Sequence, residues 1–154
     1  MEVNLLLNVT SEEFFDFLYE SIINDIKEST NKTVTRKDIK GGYRYKKEMK
    51  NKMGRQGTAT ILIREFVPNK TYVAVFESNQ GENIISYNVE ELEENKIGVT
   101  YNEEYIASDK LKSWNFSLVN FFYKRKANKN AKNTLRRIES YIKANRIEKS
   151  GNND

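Results

Sequence analysis

The architecture of this chain follows from one segment, IISYNVEELEENKIGVTYNEEY at residues 84–105. In its first part, apolar residues occupy every second position, at Ile85, Tyr87 and Val89. After the polar run 93–96 the alternation resumes, and one face then carries Ile97, Val99, Tyr101, Glu103 and Tyr105. A period of two is typical of a strand with one buried face. The segment therefore predicts two antiparallel strands joined by a turn.

Three more strand patterns precede this hairpin. Alternating apolar residues cover the stretches 43–49, 57–67 and 72–78. Turn-forming residues such as Gly54 and Pro68 lie between them. In the stretch 57–67 one face is apolar and is formed by Ala59, Ile61, Ile63 and Val67. We assign Phe66 to the opposite face, and the patterns together predict an antiparallel meander of five strands.

A helical pattern lies on each side of the meander. After an opening strand at 3–9, Thr10 and Glu13 form the signature of a capping box. Apolar residues then recur at helical spacing, at Phe14, Leu18, Ile22 and Ile26. After the meander we expect a long helix over 112–144, with a kink or break near 128–130 because its apolar face changes phase there.

The order of these elements resembles the helix-grip fold of the START and birch-pollen-allergen superfamily. It comprises a strand, a helix, a short second helix near Thr35, the meander and a long closing helix. The resemblance covers nearly the whole chain. It implies an α+β domain in which a curved antiparallel β-sheet wraps around a long C-terminal helix, often with an apolar cavity between them. We therefore predict a single helix-grip domain at 1–148 and a disordered tail at 149–154.

Three tyrosine-bearing strand segments are similar to those of a small family from Gram-positive bacteria that is known only as a domain of unknown function. These segments are Gly42–Lys47, Ile85–Tyr87 and Val99–Tyr105. The resemblance supplies no catalytic residues. It implies a bacterial cytoplasmic protein whose gene lies beside genes for sugar phosphotransferase transport. A protein-interaction or regulatory role linked to sugar uptake is therefore one functional alternative.

The 154-residue chain contains no Cys and no His, which removes several kinds of chemistry. Disulfides, thiolate nucleophiles, Cys/His zinc sites and imidazole bases are excluded. Glu2 stands where a signal peptide needs positive charge, and no apolar stretch approaches the roughly 20 residues that span a bilayer. We therefore expect a cytoplasmic protein with no membrane span, no metal site and no cofactor.

Aromatic and charged residues on the strand faces are candidates for a binding site between the sheet and the closing helix. Tyrosine offers an apolar ring with a hydroxyl, and a half-buried Glu103 near Lys47 would fix a polar head group. The candidates are Tyr43, Tyr45, Lys47, Glu77, Tyr87, Tyr101, Glu103 and Tyr105 on the strands, with Trp114 and Leu118 on the helix. They predict a non-catalytic protein that holds a small amphipathic or sugar-like ligand. The alternative is a filled core with charged strand ends in water.

The sequence leaves three alternatives open. Glu103 can act as an acid or base if its pKa is raised, but no second catalytic partner is identifiable, so we do not expect an enzyme. A basic stripe on the closing helix is an alternative site for phosphate or nucleic acid, formed by Arg125, Lys129, Lys132 and Arg136. The stripe is equally typical of a solvated helix face, so nucleic acid is not the expected partner. A homodimer would use edge strands or the apolar patch Tyr72, Ala74 and Phe76.

Overall fold

Six strands, two long helices and one short 3₁₀ turn form the described part of the chain. A computed structural model describes the backbone at 1–50, 56–107 and 116–151 and the side chains at 1–48, 57–107 and 127–146. In chain order the elements are β1 (Glu2–Leu7), α1 (Ser11–Thr30), the 3₁₀ turn (Arg36–Asp38), β2 (Arg44–Lys50), β3 (Gln56–Val67), β4 (Thr71–Ser78), β5 (Gly81–Glu93), β6 (Lys96–Ala107) and α2 (Phe116–Gly151).

The six strands form one antiparallel sheet in the order β1-β6-β5-β4-β3-β2. β2 to β6 follow one another as the predicted meander, and β1 pairs with the free edge of β6, with Leu5 opposite Val99. Both helices contribute to one core on the same side of the sheet. We call this side the concave face and the other side the convex face. The predicted α+β helix-grip architecture is confirmed.

Helix α1 begins at a side-chain cap and buries one face. The Thr10 hydroxyl accepts a hydrogen bond from the Glu13 backbone N–H, and the Glu13 carboxylate accepts one from the Thr10 N–H, both at 3.0 Å. These two bonds are the predicted capping box. The predicted apolar positions are all buried, together with Phe15. The helix ends where Asn31 adopts a left-handed conformation with φ 61°.

A row of aromatic rings crosses the concave face, one from each of four neighbouring strands. The strand register places them directly opposite one another in the order Phe66, Tyr72, Tyr87 and Tyr101. Successive ring centroids are 5.7, 6.2 and 5.0 Å apart. Phe14 of α1 meets Tyr87 edge-on, with 5.8 Å between centroids. The row therefore provides the aromatic surface on which α1 packs.

Strand β3 contains an irregularity that reverses the faces of its last residues. Its register with β4 shifts between Ile63 and Glu65, as at a β-bulge. Phe66 consequently lies on the concave face against Tyr72, whereas Val67 is 38% exposed. The predicted assignment of Val67 to the buried face and Phe66 to the other was wrong, because an extra residue interrupts the period of two.

Strand β4 carries apolar residues on both faces. Tyr72 and Ala74 are buried in the core on the concave face, and Phe76 packs against that core. The hypothesis that these three residues form an exposed patch for a dimer was therefore wrong. Val75 alternates with them and belongs to the convex face.

Helix α2 packs on the core through its C-terminal half. Three of its residues are buried in the same core as α1, namely Leu135, Ile138 and Ile142. The helix continues through 128–130, so it has no break there, whereas the kink that was the other alternative stays a prediction. A continuous helix can change its apolar phase when successive parts of it meet different surroundings. The helix is described as far as Gly151, three residues into the predicted disordered tail, and 152–154 lie outside the described residues.

Two carboxylates connect α2 to the rest of the protein. Glu13 of α1 accepts two hydrogen bonds from the Arg146 guanidinium. These bonds hold the pKa of Glu13 below its usual value, against the opposite effect of burial. Glu139 is 8% exposed and accepts a hydrogen bond from the Asn8 backbone N–H at 2.6 Å. The ends of α1 and β1 are thus both tied to α2.

Candidate functional site

Glu103 on β6 lies half-buried at one end of the concave face. Its Oε1 accepts a hydrogen bond from Asn83 Nδ2 at 3.0 Å, and its Oε2 accepts one from the Tyr101 hydroxyl at 3.2 Å. The register explains the first bond, because Asn83 lies opposite Tyr105 and is therefore a diagonal neighbour of Glu103 on the same face. Two neutral donors thus hold the carboxylate in place. We call Asn83, Tyr101 and Glu103 the Glu103 cluster.

The Asn83 amide has one polar atom without a partner among the described residues. Its nitrogen must face Glu103, because only the nitrogen of an amide can donate to a carboxylate. Its Oδ1 is buried and accepts no hydrogen bond from any residue in the described ranges. A buried acceptor without a donor costs about 1–3 kcal/mol. This oxygen is therefore an acceptor that the described residues leave unsatisfied.

Apolar and aromatic residues surround the Glu103 cluster. Ile85 lies directly opposite Glu103, and Phe76 lies directly opposite Asn83, both on the concave face. Burial, and secondly the Glu103 charge, raise the pKa of Tyr87 to about 12. The Tyr87 hydroxyl therefore keeps its proton at neutral pH. A few convergent polar groups on an apolar surface are the usual composition of a small-molecule site.

A second polar cluster lies between α1 and the edge strand β2. The Tyr45 hydroxyl donates to Asp25 Oδ2 and Lys47 Nζ donates to Asp25 Oδ1, each at 2.5 Å. Burial first, and the Asp25 carboxylate second, raise the pKa of Tyr45 well above its usual range. The Tyr43 ring lies 6.2 Å from the Tyr45 ring. We call Asp25, Tyr45 and Lys47 the Asp25 cluster, and its contacts join β2 to α1.

Glu103 and Lys47 do not form the predicted head-group site together. Lys47 lies on β2 and Glu103 on β6, and three strands separate them in the sheet. Lys47 pairs with Asp25, whereas Glu103 is held by the amide and phenol described above. The predicted residues therefore belong to two clusters, because the sequence pattern gives the face of each strand but not its position in the sheet.

Two further strand candidates lie away from both clusters. Glu77 is on the convex face, where its carboxylate is 3.8 Å from the Arg44 guanidinium. Its predicted inward orientation was wrong, because Phe76 takes the concave position and neighbouring residues alternate. Tyr105 is on the concave face but is 48% exposed, and its hydroxyl donates to the Gln80 carbonyl at 2.9 Å.

The basic stripe of α2 is partly used within the protein. Lys129 and Lys132 are exposed. Arg136 donates to the Leu6 carbonyl at 3.0 Å and to the Glu139 carboxylate at 3.2 Å. Three predicted residues have side chains outside the described ones, namely Trp114, Leu118 and Arg125. Phosphate binding by the stripe stays a prediction, and Arg136 has a structural role that does not require it.

Sequence reasoning missed Asp25 and Asn83, which are central to the two clusters. Asp25 directly precedes the buried Ile26 on α1, so an acidic residue at the border of the apolar face was the available signal. No sequence signal marked Asn83, because the alternation begins at Ile84 whereas β5 begins at Gly81. Gly81 permits this early start, since it has φ +143° and a Cβ there would collide with the backbone of β6.

The described ranges contain neither a metal-binding cluster nor a helix that could span a membrane. Among those residues, no three Asp, Glu, His or Cys side chains gather closely enough to hold a metal ion. In the same part of the chain, neither helix has the length and apolar character needed to cross a bilayer.

A family profile covers most of the chain. The family described as "Domain of unknown function (DUF3284)" matches residues 1–124. None of the curated proteins matches the sequence.

Solved structures share the fold of this chain at low sequence identity. The di-domain ARO/CYC protein StfQ from the steffimycin biosynthetic pathway is 10% identical, with a TM-score of 0.66 over 98% of this chain and 51% of StfQ. This chain therefore spans about half the length of StfQ. A protein from Thermus thermophilus is 11% identical, with a TM-score of 0.59 over 94% of this chain and 97% of that protein. Ara h 8.0201 is 12% identical, with a TM-score of 0.55 over 94% of this chain and 97% of Ara h 8.0201. At such identities the likeness shows the helix-grip fold alone.

Proposed function

The chain belongs to the DUF3284 family, a domain of unknown function, and from the Glu103 cluster we propose that it binds a small amphipathic molecule without catalysing a reaction. The polar part of the ligand donates hydrogen bonds to Glu103 and to Asn83 Oδ1. Its apolar part lies on the concave face, against residues such as Ile85 and Tyr87. Hydroxyl groups, as in a sugar, are suitable donors.

The observation that carries this proposal is the buried Asn83 Oδ1 beside the Glu103 carboxylate. Both groups are acceptors, so neither can satisfy the other. An ammonium group, or two hydroxyl groups of one ligand, can donate to both, whereas a phosphate or carboxylate is repelled by the Glu103 charge. The chemistry of the cluster therefore favours a ligand with donors on an apolar body over an anionic ligand.

The two hydrogen bonds that Glu103 accepts support a binding role for its carboxylate. Asn83 and Tyr101 each occupy one of its oxygens and fix its orientation. A carboxylate has room for about four hydrogen bonds, so a ligand can still donate to it without displacing either residue. A fixed, charged acceptor in a half-buried position gives stronger hydrogen bonds than a neutral one does.

The proposal is tested with n-octyl glucoside, which combines a hydroxylated head with an apolar tail. Isothermal titration calorimetry below its micelle-forming concentration measures binding. We expect saturable binding by the wild-type protein and about tenfold weaker binding by Glu103→Gln, because a hydrogen bond to a charged group is worth about 1.5–3 kcal/mol. The matched control is Glu104→Gln, which removes the adjacent carboxylate on the convex face and should bind as the wild type does.

Octyl sulfate provides the comparison between ligands, because it has a similar tail, a negative head and no donor. We expect no measurable binding of octyl sulfate. Equal binding of both detergents, or wild-type affinity in Glu103→Gln, would contradict the assignment of the Glu103 cluster as the head-group site. Native mass spectrometry of the purified protein, under gentle and then denaturing conditions, would give the mass of any natural occupant.

A further inference from the structure

Asn128 is a polar residue at the start of the stripe with which α2 faces the core. The stripe continues at helical spacing through Ala131, which packs against the core, to Leu135, Ile138 and Ile142, which are buried in it. The Asn128 Oδ1 is buried too, yet it accepts no hydrogen bond from any residue that the structure describes. A buried amide oxygen normally has a donor, so the missing donor at this position calls for an explanation.

Two contacts fix the direction of α2 along the edge strand β1. Arg136 donates to the Leu6 carbonyl at 3.0 Å, and the Glu139 carboxylate accepts from the Asn8 N–H at 2.6 Å. Residues later in α2 therefore contact residues later in β1, so the two elements run in the same direction. Asn128 precedes Glu139 by about three helical turns, so both side chains leave the helix on nearly the same side.

This direction brings Asn128 to the level of the Glu103 cluster. Three helical turns are about 16 Å long, and about five residues of a strand cover the same distance. Counted back along β1 from the Asn8 contact, this distance ends near Val3, which lies directly opposite Tyr101 of the cluster. The end of the concave face that carries the Glu103 cluster is therefore the end that this part of α2 reaches.

The sheet and α2 thus each contribute one buried amide oxygen that the described residues leave unsatisfied. Asn83 Oδ1 is on the sheet beside Glu103, and Asn128 Oδ1 is on the helix. Both oxygens are acceptors, so they cannot bond to each other. A ring with hydroxyl groups on opposite edges, as in a sugar, can donate to both. An alkylammonium has all its donors on one atom and can serve only one side.

We infer, on the basis of the proposed binding of an amphipathic ligand at the Glu103 cluster, that Asn128 is a further ligand-binding residue and that the ligand's head is a polyhydroxylated ring. Glu103 and Asn83 accept hydrogen bonds from one edge of the ring. Asn128 accepts one from a hydroxyl group on the opposite edge.

Calorimetry with two ligands of equal tail length tests this role, namely n-octyl glucoside and octylammonium, each below its micelle-forming concentration. Asn128→Leu keeps the size of the side chain and removes the acceptor. It should weaken octyl glucoside binding about fivefold, the effect of one neutral hydrogen bond, and leave octylammonium binding unchanged. Glu103→Gln should weaken the binding of both ligands. The matched control is Asn130→Leu, at an exposed position of the same helix, which should bind both ligands as the wild type does.

The role of Asn128 and the proposed function can fail separately. Wild-type affinity for octyl glucoside in Asn128→Leu, together with weaker binding in Glu103→Gln, would overturn the role of Asn128 alone. Equal weakening of both ligands in Asn128→Leu would also overturn it, since Asn128 would then shape the site without contacting the head. A wild-type protein that binds neither ligand would overturn both.

Retained octylammonium binding shows that the Asn128→Leu variant is folded. Its thermal unfolding without ligand should have an equal or higher midpoint than that of the wild type, because the substitution removes a buried acceptor that has no donor. If Asn128→Leu does not fold, Asn128→Ala, which adds no bulk, is measured with both ligands in its place.

Discussion

Asp25 connects α1 to β2 through both of its carboxylate oxygens, one bound by Tyr45 and one by Lys47. The side chains of the Lys47–Asp25 ion pair are 33% and 26% exposed, so water screens the pair only in part. A partly desolvated pair is favourable when further hydrogen bonds satisfy its charges. The Tyr45 hydroxyl supplies such a bond. Loss of Asp25 therefore leaves an unpaired ammonium and an unpaired phenol in one place.

Asp25→Asn should lower the free energy of unfolding by about 1–3 kcal/mol, because the amide has one acceptor oxygen and no charge to offer Lys47. Urea unfolding followed by circular dichroism measures the change. Glu28→Gln, at an exposed position of the same helix, should change stability by less than about 0.5 kcal/mol. A double-mutant cycle with Lys47→Met tests the ion pair itself. If Lys47→Met lowered the free energy of unfolding equally in the wild type and in Asp25→Asn, the ion pair would contribute nothing and the prediction would fail.

Residue-level prediction from the sequence succeeded for strand faces and failed for partners. The alternation at Tyr45 and Lys47 correctly placed both side chains on one face. Their partner Asp25 is twenty or more positions away and lies on another element, so no local period connects them. The same limit applies to Asn83 and Glu103, whose contact depends on the register between two strands.

At the scale of elements, the irregularity in β3 decides which aromatic side chain joins the core. Without the register shift after Ile63, the period of two would direct Val67 to the concave face. With it, Phe66 occupies that position and contacts Phe15, Tyr19 and Tyr72. No Gly or Pro marks the shift in the sequence. The packing of a large ring against α1 is the stabilising contribution that favours it.

Phe66→Ala should therefore destabilise the protein by about 2–4 kcal/mol, somewhat less than for a fully buried ring. Val67→Ala, one residue further along the strand, should cost less than about 1 kcal/mol because Val67 is 38% exposed. Thermal unfolding of the two variants against wild type measures both effects. A larger loss for Val67→Ala than for Phe66→Ala would show that the strand keeps an unbroken alternation.

Most elements were predictable because their signals are local. The capping box of α1 needs only Thr10 and Glu13, and each strand of the meander has its own alternation. The predicted break in α2 had a weaker basis, since a change of apolar phase shows only that different parts of a helix meet different surroundings. Leu135 and Ile138 pack on the core while Lys132 is exposed, and the helix remains continuous.

On the scale of the whole molecule, the two faces of one sheet carry different residues of the same strands. The concave face carries the Glu103 cluster within an aromatic lining, and the convex face carries the alternate residues, such as Glu104. Glu103 and its neighbour Glu104 show how closely the two surfaces are linked along one strand. Because alternate residues face opposite sides, a substitution at Glu104 should leave ligand binding at Glu103 unchanged.

The concentration of tyrosines in the core sets an upper pH limit for the whole fold. Burial raises the pKa values of Tyr45 and Tyr72, and burial with the Glu103 charge raises that of Tyr87 to about 12. An unfolded chain releases phenolic protons near pH 10, before the folded protein does. Above that pH the folded state binds more protons than the unfolded state. The contribution to stability is therefore fully present below about pH 10 and is lost as pH rises toward 12 and beyond.

Urea unfolding at a series of pH values up to about pH 11 should show this limit. Below about pH 10, ionisation of the tyrosines should have little effect on the free energy of unfolding. Above that pH, the free energy of unfolding should fall by about 1.4 kcal/mol per pH unit for each tyrosine protected in the folded state. Tyr87→Phe removes one titrating phenol while keeping its ring in the aromatic row, so the slope above pH 10 should decrease by roughly a third. Phenolate absorbance followed in parallel should rise together with unfolding, because Tyr45, Tyr72 and Tyr87 lose their protons more readily in the unfolded chain. An unchanged slope in Tyr87→Phe would mean that Tyr87 ionises as easily in the folded protein as in water.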